Sequence, residues 1–321
     1  MATLYNMKRI KMPNTQHAHT ISASAKINLT LSVTGRDEAG YHKLVSAVAF
    51  TDFGDRLHLQ DAPDMRLDID GPFASQLYNA SLPHDNNADN LLIRAHELAK
   101  DYAQTAGLPL PSCHHILLEK HIPIGGGLGG GSADAAAYLR FLSAKWDEGD
   151  ITALRDLSVT LGADVPACFD NHSHIMAGIG EAPTRIAPSP SSKDWPYMVI
   201  TNPHCHGDTA SVFKAYALSQ TRFSQKTPKE IADIVSQEDW DRLFAIGNDL
   251  TDAACHLYPE IGTLLFEMGD LGRELGSAFI GHAMSGSGAS CFALFTSEHS
   301  ARSFHQACQE RGFWSVQTRF F

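Results

Sequence analysis

Between Gly125 and Gly131 every residue but Leu128 is glycine, and the run leads directly into Ser132-Ala133-Asp134-Ala135-Ala136-Ala137. No strand or helix interior tolerates such a stretch, since glycine loses more conformational freedom on ordering than any other residue. What the run permits is a backbone that turns its N–H groups inward and approaches a ligand closely. It stands against the start of an alanine-rich helix, whose first N–H groups lack partners and carry the positive end of the helix dipole. Together they form a nest for a polyphosphate. Ser132 and Asp134 fall in the first turn of that helix, with Ser132 a good capping residue. A flexible linker would not be flanked by a short strand at 115–118 and a helix at 132–145. A Walker loop requires lysine before its Ser/Thr, and Gly131 stands there instead. Gly125-x-Gly127-x-x-Gly130 matches the dinucleotide fingerprint literally. That fold, however, needs a second strand ending in an acid, and here another helix begins after Lys145.

Elsewhere the hydrophobic pattern mixes strands and helices. Ile21, Ala23, Ala25, Ile27, Leu29, Leu31 and Val33 alternate with Ser22, Ser24, Lys26, Asn28, Thr30, Ser32 and Thr34. This predicts a half-buried strand with one face on a core and a polar face carrying Lys26 and Asn28 together. Strand patterns recur at 45–53, 56–60 and 66–70, so the first part is antiparallel and β-rich. Apolar residues at 91, 92, 95, 98, 99 and 102 predict a helix over 90–106, capped by Asp89 and stopped by Gly107. A further helix spans 151–161 and closes at Gly162. Short strands at 174–176 and 185–186 lead to Pro188-Ser189-Pro190-Ser191-Ser192, the best linker candidate in the chain. Beyond it, strands at 197–201, 290–295 and 316–320 frame several helices. There is no regular βαβ rhythm, so the fold class is α+β. The 321 residues suggest two domains, with apolar residues enough for two sizeable cores.

Lys and Arg number 25 against 36 Asp and Glu, a net charge of −11. That balance excludes a general nucleic-acid binder and a protein that docks on anionic membrane, both of which need a basic surface. No stretch nears the roughly 18 apolar residues of a membrane span. Met1–Pro13 has Lys8, Arg9 and Lys11 with no apolar segment behind them, so it is expected to be a tail on a cytoplasmic protein. The cysteines (113, 168, 205, 255, 291 and 308) form no C-x-x-C pair, and reduced, mostly buried thiols are expected. None of the close pairs His17/His19, His172/His174 and His204/His206 sits at i, i+4 on a convincing helix with a nearby carboxylate. They are read as solvated loops and strand ends, and no metal site is expected.

Two more segments have the look of ligand-contacting loops: Leu161-Gly162-Ala163-Asp164-Val165-Pro166, and a second Gly/Ser nest, Ser285-Gly286-Ser287-Gly288-Ala289-Ser290. With the glycine loop and the block Ala25-Lys26-Ile27-Asn28-Leu29 … Gly40-Tyr41-His42, in this order along nearly the whole chain, they resemble the GHMP small-molecule kinase superfamily. The Ala25–Leu29 and Gly40–His42 blocks are most similar to its branch acting on a cytidine-diphosphate-linked methylerythritol in the non-mevalonate isoprenoid pathway. Ala133 departs from the pattern, where a second serine is common.

The resemblance implies a two-domain α+β architecture with the active site in the cleft between the domains. Residues 1–20 would be a tail, 21–187 the ATP-binding domain and 193–321 the substrate-side domain. It implies ATP as phosphate donor, with Mg2+ arriving on the nucleotide and no dedicated protein cage. Lys26 and Asp164 would be catalytic, Asp164 taking the hydroxyl proton and Lys26 offsetting charge. ATP would contact Asn90, Lys120, Pro123, Ile124, Gly125, Gly126, Gly127, Leu128, Gly129, Gly130, Gly131, Ser132 and Ala133. The acceptor, a small molecule carrying a cytidine diphosphate group, would contact Asn28, Tyr41, His42, Phe213, Ser285, Gly286, Ser287 and Gly288. Tyr41 and Phe213 would be the stacking faces, although Phe213 at helical spacing also reads as core. The assembly would be a monomer or homodimer. Two rival readings are another kinase of the superfamily with a different alcohol acceptor, and a nucleotide-binding module without catalysis. The joint presence of Lys26 and Asp164 speaks against the second, and Gly40-Tyr41-His42 against the first.

Overall fold

In the computed structural model, which describes residues 18–78, 90–146, 149–178, 184–186, 195–219 and 222–321, the opening alternation becomes two strands. These are β1 (Ala18–Asn28) and β2 (Ser32–Arg36), laid end to end along one edge of a 20-residue strand, β3 (His42–Asp61). β4 (Arg66–Asp70), α1 (Ala74–Tyr78) and α2 (Leu91–Ala106) follow. Then come β5 (His114–Glu119), α3 (Gly130–Ser143), α4 (Ile151–Leu157), α5 (Val165–Asp170), β6 (His174–Gly178) and β7 (Thr184–Arg185). β5 and β6 pair with the other edge of β3, β4 runs parallel to β5, and the result is a seven-stranded sheet.

The second half begins with β8 (Tyr197–Asn202) and the helices α6 (Thr209–Leu218), α7 (Pro228–Ser236), α8 (Trp240–Ile246), α9 (Thr251–Leu257) and α10 (Pro259–Glu274). It ends with β9 (Phe279–Met284), β10 (Cys291–Phe295), α11 (Glu298–Glu310) and β11 (Trp314–Arg319). Its four strands form a separate antiparallel sheet in the order β11-β8-β10-β9. No helix among the described residues is long and apolar enough to cross a membrane.

The two sheets do not own separate cores. Ala25, Ile27, Ala47 and Ala49 of the first pack in one cluster with Met198, Ile200, Phe292 and Leu294 of the second. The outer face of the first sheet is covered by α2 and α3, and that of the second by α6, α9, α10 and α11. β8 and β10 are therefore buried on both faces, which is why they read as near-continuous apolar runs.

The alternation of Ile21 to Thr34 departs from expectation. Its apolar side does not face one core: Ala23 lies under α3, Ala25 to Leu29 lie between the sheets, and Leu31 and Val33 join the third cluster. The cause is a bulge where Ser24 opposes Gly54 but Lys26 opposes Phe50, which turns the strand. The polar side is not solvated either. Ser24, Lys26, Asn28, Thr30 and Ser32 are all buried. The same bulge joins what the pattern reads as separate strands at 45–53 and 56–60 into one. Gly54 allows this, since a Cβ there would overlap the Ala23 carbonyl.

α2 is capped by Asn90, whose Oδ1 accepts from Leu92 N at 2.9 Å, and it ends at Gly107 in the left-handed region, φ +69°. The expected cap, Asp89, lies outside the described residues, as do the linker 188–192 and Met1–Pro13. α3 starts at Gly130, two residues before expectation, with Gly129 and not Ser132 at the cap position. None of the cysteines is bonded to another; Cys168, Cys291 and Cys308 are buried and the other three half-buried. His174 is buried in β6, contrary to its reading as a solvated side chain.

His114, fully buried beneath α3, hydrogen-bonds Tyr138 Oη through Nδ1 at 2.9 Å. Burial holds its imidazole down to about 4, with the Lys145 cation adding to the shift. The unfolded chain therefore takes up the proton first as pH falls, so stability is full above about 6.5 and is lost toward 4. The loss is at most about 3 kcal/mol. Urea unfolding at pH 7.0 and 5.0 should show a drop of more than about 1 kcal/mol, which His114→Gln flattens. An identical drop in the variant would assign the acid sensitivity elsewhere.

Candidate active site

The glycine loop leaves β5 and enters α3 with Gly125, Gly127 and Gly129 at φ +64°, +70° and +66°. L side chains rarely adopt this region, so the loop needs glycine at these three positions. The loop is pinned on several sides. Leu128 O accepts from Lys26 N at 2.9 Å, Gly125 O from Gly207 N at 3.0 Å, and Gly126 O from Ser290 N at 3.0 Å. A Cβ on Gly127 would lie 2.6 Å from both the Gly288 and Ser285 carbonyl oxygens, so the two Gly/Ser turns interlock. Asn248 holds the second turn, its Nδ2 donating to Met284 O at 2.9 Å and Gly286 O at 2.7 Å. No side chain caps α3, which leaves the N–H groups of its first turn directed toward the cleft.

Loop and helix line a cavity of about 750 Å³ walled by the first sheet, α6 and the turn between β9 and β10. At one end lie Asn90, Lys120 and the apolar residues Ile69, Leu77, Leu91 and Leu118, a surface suited to a flat base. Along the floor run Pro123 to Ser132 and Asp134. At the other end are Leu31, Leu44, Thr209, Phe213, Gly286 and Ser287. Where these regions meet, Lys26 Nζ lies 3.0 Å from Asp164 Oδ2. The lysine side chain is 5% exposed and the carboxylate 39%. Asp164 occupies the cap position of α5 but caps nothing. Its carboxylate is turned into the cleft instead.

Asn28 stands beside this pair on β1. Its backbone N donates to Ser285 Oγ at 3.0 Å and its Nδ2 to Ser46 Oγ at 2.7 Å. Its Oδ1 is buried with no partner. His42 and Phe213 stack, ring centroids 5.1 Å apart and planes at 26°, with Phe213 on the cavity wall. Phe213 also packs on the third core cluster, as its helical spacing predicts. Arg36 Nε donates to His42 Nε2 at 3.1 Å, and burial with the nearby Arg36 charge lowers the imidazole pKa.

Not every expected residue reaches the cavity wall. Tyr41 is 71% exposed at its turn. Ser285 is fully buried and Gly288 is packed against Gly127, so both shape the site from behind. Ala133 is buried in the core under α3. Asp134 does not fall in the first turn, because α3 starts at Gly130; it is buried, with Oδ2 2.8 Å from Lys120 Nζ and Oδ1 unpartnered. Burial pushes its carboxyl upward, further than the Lys120 ammonium pulls it down, and Asp55 adds to the rise. Asp55, Thr209 and the apolar end of the cavity have no local signature in the sequence. Among the described residues no group of His, Cys, Asp and Glu side chains is arranged to hold a metal.

Residues 90–171 match the GHMP kinases N terminal domain and residues 228–312 the GHMP kinases C terminal domain. The chain is 37% identical over 285 residues to a 4-diphosphocytidyl-2-C-methyl-D-erythritol kinase of Parvibaculum lavamentivorans, covering 88% of this chain and 91% of that protein. It is 39% identical over 304 residues to the protein of that name from Gluconacetobacter diazotrophicus, covering 91% and 92%. Its fold superposes on a crystal structure of 4-(cytidine 5'-diphospho)-2C-methyl-D-erythritol kinase with a TM-score of 0.69 at 31% identity, over 94% of this chain and 99% of that one. A homoserine kinase from Cytophaga hutchinsonii, at 18% identity and a TM-score of 0.62, shares the fold alone.

Proposed function

Since the chain belongs to the GHMP kinases, and among them to the 4-diphosphocytidyl-2-C-methyl-D-erythritol kinases, we propose that it moves the γ-phosphate of ATP to the 2-hydroxyl of 4-diphosphocytidyl-2-C-methyl-D-erythritol. That step belongs to the non-mevalonate isoprenoid pathway, and the cytoplasm is its compartment. The observation that carries the reading is the Lys26–Asp164 pair at 3.0 Å, where the glycine loop meets the Phe213 end of the cavity.

ATP lays its base against Asn90, Leu91 and Leu118 and its phosphates over the glycine loop and the open end of α3. The acceptor hydroxyl sits at Asp164. Its proton passes to the carboxylate while its oxygen bonds the γ-phosphorus, and the bridging oxygen leaves with ADP. Lys26, held in a nearly dry site, offsets the charge gathering on the attacking oxygen and the phosphoryl group. Asn28 lines the cavity beside the Lys26–Asp164 pair and shapes the acceptor end. Mg2+ would arrive with the nucleotide, where the Ser132 hydroxyl at the cavity wall would hold it together with the phosphates, and it would neutralise phosphate charge.

Cytosine packs on Phe213 with its edge to His42, and Tyr41 is free to cover it from the solvent side. A pocket that hydrogen-bonds a base edge rejects a mismatched edge strongly. The uridine analogue should therefore turn over at least about 100-fold more slowly. Stacking contributes about 1–3 kcal/mol per base, so Phe213→Ala should raise the acceptor KM about tenfold or more and leave the ATP KM in place. Equal use of cytidine and uridine substrates would move the assignment to another acceptor.

A further inference from the structure

Beneath the nucleotide end of the cavity lies a charged group that phosphoryl transfer does not use. Asp55, in β3, is fully buried. Its Oδ1 accepts from the backbone N of His121 at 2.6 Å and of Ile122 at 2.8 Å, and its Oδ2 pairs with the Lys120 ammonium. That ammonium also reaches Asp134 Oδ2 at 2.8 Å, in the first half of α3.

These contacts do not close the sheet. β3 and β5 pair through their own backbone as far as Arg56 and Glu119. Lys120 N then goes to Asp70 O, while His121 and Ile122 lie past the last strand residue and find their acceptor only in Asp55. One carboxylate thus fixes the chain entering the glycine loop and, through Lys120, the helix leaving it. Two carboxylates and one ammonium taken out of water are a poor source of stability, since the desolvation cost offsets their attraction. What such a group supplies is geometry.

We propose that Asp55 is a positioning residue for the nucleotide: without touching ATP or the acceptor, it sets the shape of the glycine loop through His121, Ile122 and Lys120. The proposal rests on the reading that ATP occupies this loop, and it is independent of which acceptor is used.

The test is Asp55→Asn. The amide oxygen still accepts the two N–H groups, but the charge that draws Lys120 and α3 inward is gone. Binding of a non-hydrolysable ATP analogue, followed by titration calorimetry, should weaken about tenfold or more, with the ATP KM rising in parallel. The acceptor KM should stay within about twofold and kcat within about threefold. A purely structural role would lower the unfolding temperature and leave the ATP KM alone. That result in a folded variant overturns the proposal, whereas failure of the wild-type protein to bind the analogue overturns the ATP reading instead. Should the variant not fold, amide hydrogen exchange on the wild-type protein without nucleotide decides. The His121 and Ile122 amides should be as protected as those of β5, and rapid exchange there means that Asp55 does not hold them.

Discussion

Asp164→Asn should lower kcat by about 10²–10⁴-fold while both KM values stay within a few-fold. The amide keeps the size and much of the hydrogen bonding of the carboxylate but cannot take a proton, so the loss falls on the transition state. If phosphoryl transfer is so loose that the proton leaves late, Asp164 mainly orients the hydroxyl and the loss shrinks to about tenfold. Lys26→Met separates the roles. Asp164 is 39% exposed, so losing its partner leaves a carboxylate that water can solvate, and the protein should fold normally. Its kcat should nevertheless fall by a factor comparable to the Asn variant, because the charge beside the reacting oxygen is gone. If both variants fold, bind both ligands and turn over near the wild-type rate, neither residue is catalytic.

Gly129→Val should remove ATP binding from an otherwise folded protein. The residue sits at φ +66°, where an L side chain costs about 1–2 kcal/mol, enough for about tenfold in affinity before any direct block. A branched side chain at the cap of α3 would also stand in the way of the phosphates on the proposed reading. Its Cβ would be 3.4 Å from Lys26 Cβ, ordinary contact, so the fold tolerates it. Gly127→Val is expected to differ, since its Cβ would drive into the Gly288 and Ser285 carbonyls and force the two turns apart. It should lose stability along with ATP binding. A folded Gly129→Val with unchanged affinity for the ATP analogue would take the loop out of the nucleotide site.

The contrast between these two glycines shows where local pattern stops being informative. The run 125–131 announces a tight anion-binding loop because nothing else tolerates six glycines in seven positions. Which of them abuts a second turn depends on residues 285–290, far away in the chain. The helix 91–106 was legible for the same local reason: Gly107 stops it by adopting φ +69°. Its cap was misplaced by one residue because Asp89 and Asn90 are both suitable capping types, and only the chain path decides.

The polar side of the first strand failed differently. Alternation reports that two faces differ, not that the polar one meets water. Here the second half of the chain and the loops close over it, so Ser24, Lys26 and Asn28 are buried, and Lys26 and Asn28 line the site. Asp134 read as a helix-start acid because its neighbours along the chain are those of a first turn. Its actual environment comes from Lys120 and Asp55, which no local window contains. The Lys26–Asp164 pair was reachable only through the family resemblance, since strand alternation puts Lys26 on a polar face and says nothing of what faces it.

The most direct measurement is a phosphorus NMR time course with the purified protein, Mg-ATP and 4-diphosphocytidyl-2-C-methyl-D-erythritol. One new phosphomonoester signal should grow in step with ADP, coupled to the C2 position of the methylerythritol, with the diphosphate of the acceptor intact. Samples given free methylerythritol or its 4-phosphate should show no such signal. Absence of the phosphomonoester with the cytidylyl acceptor, or its equal appearance with acceptors lacking the cytidylyl group, would contradict the proposed reaction.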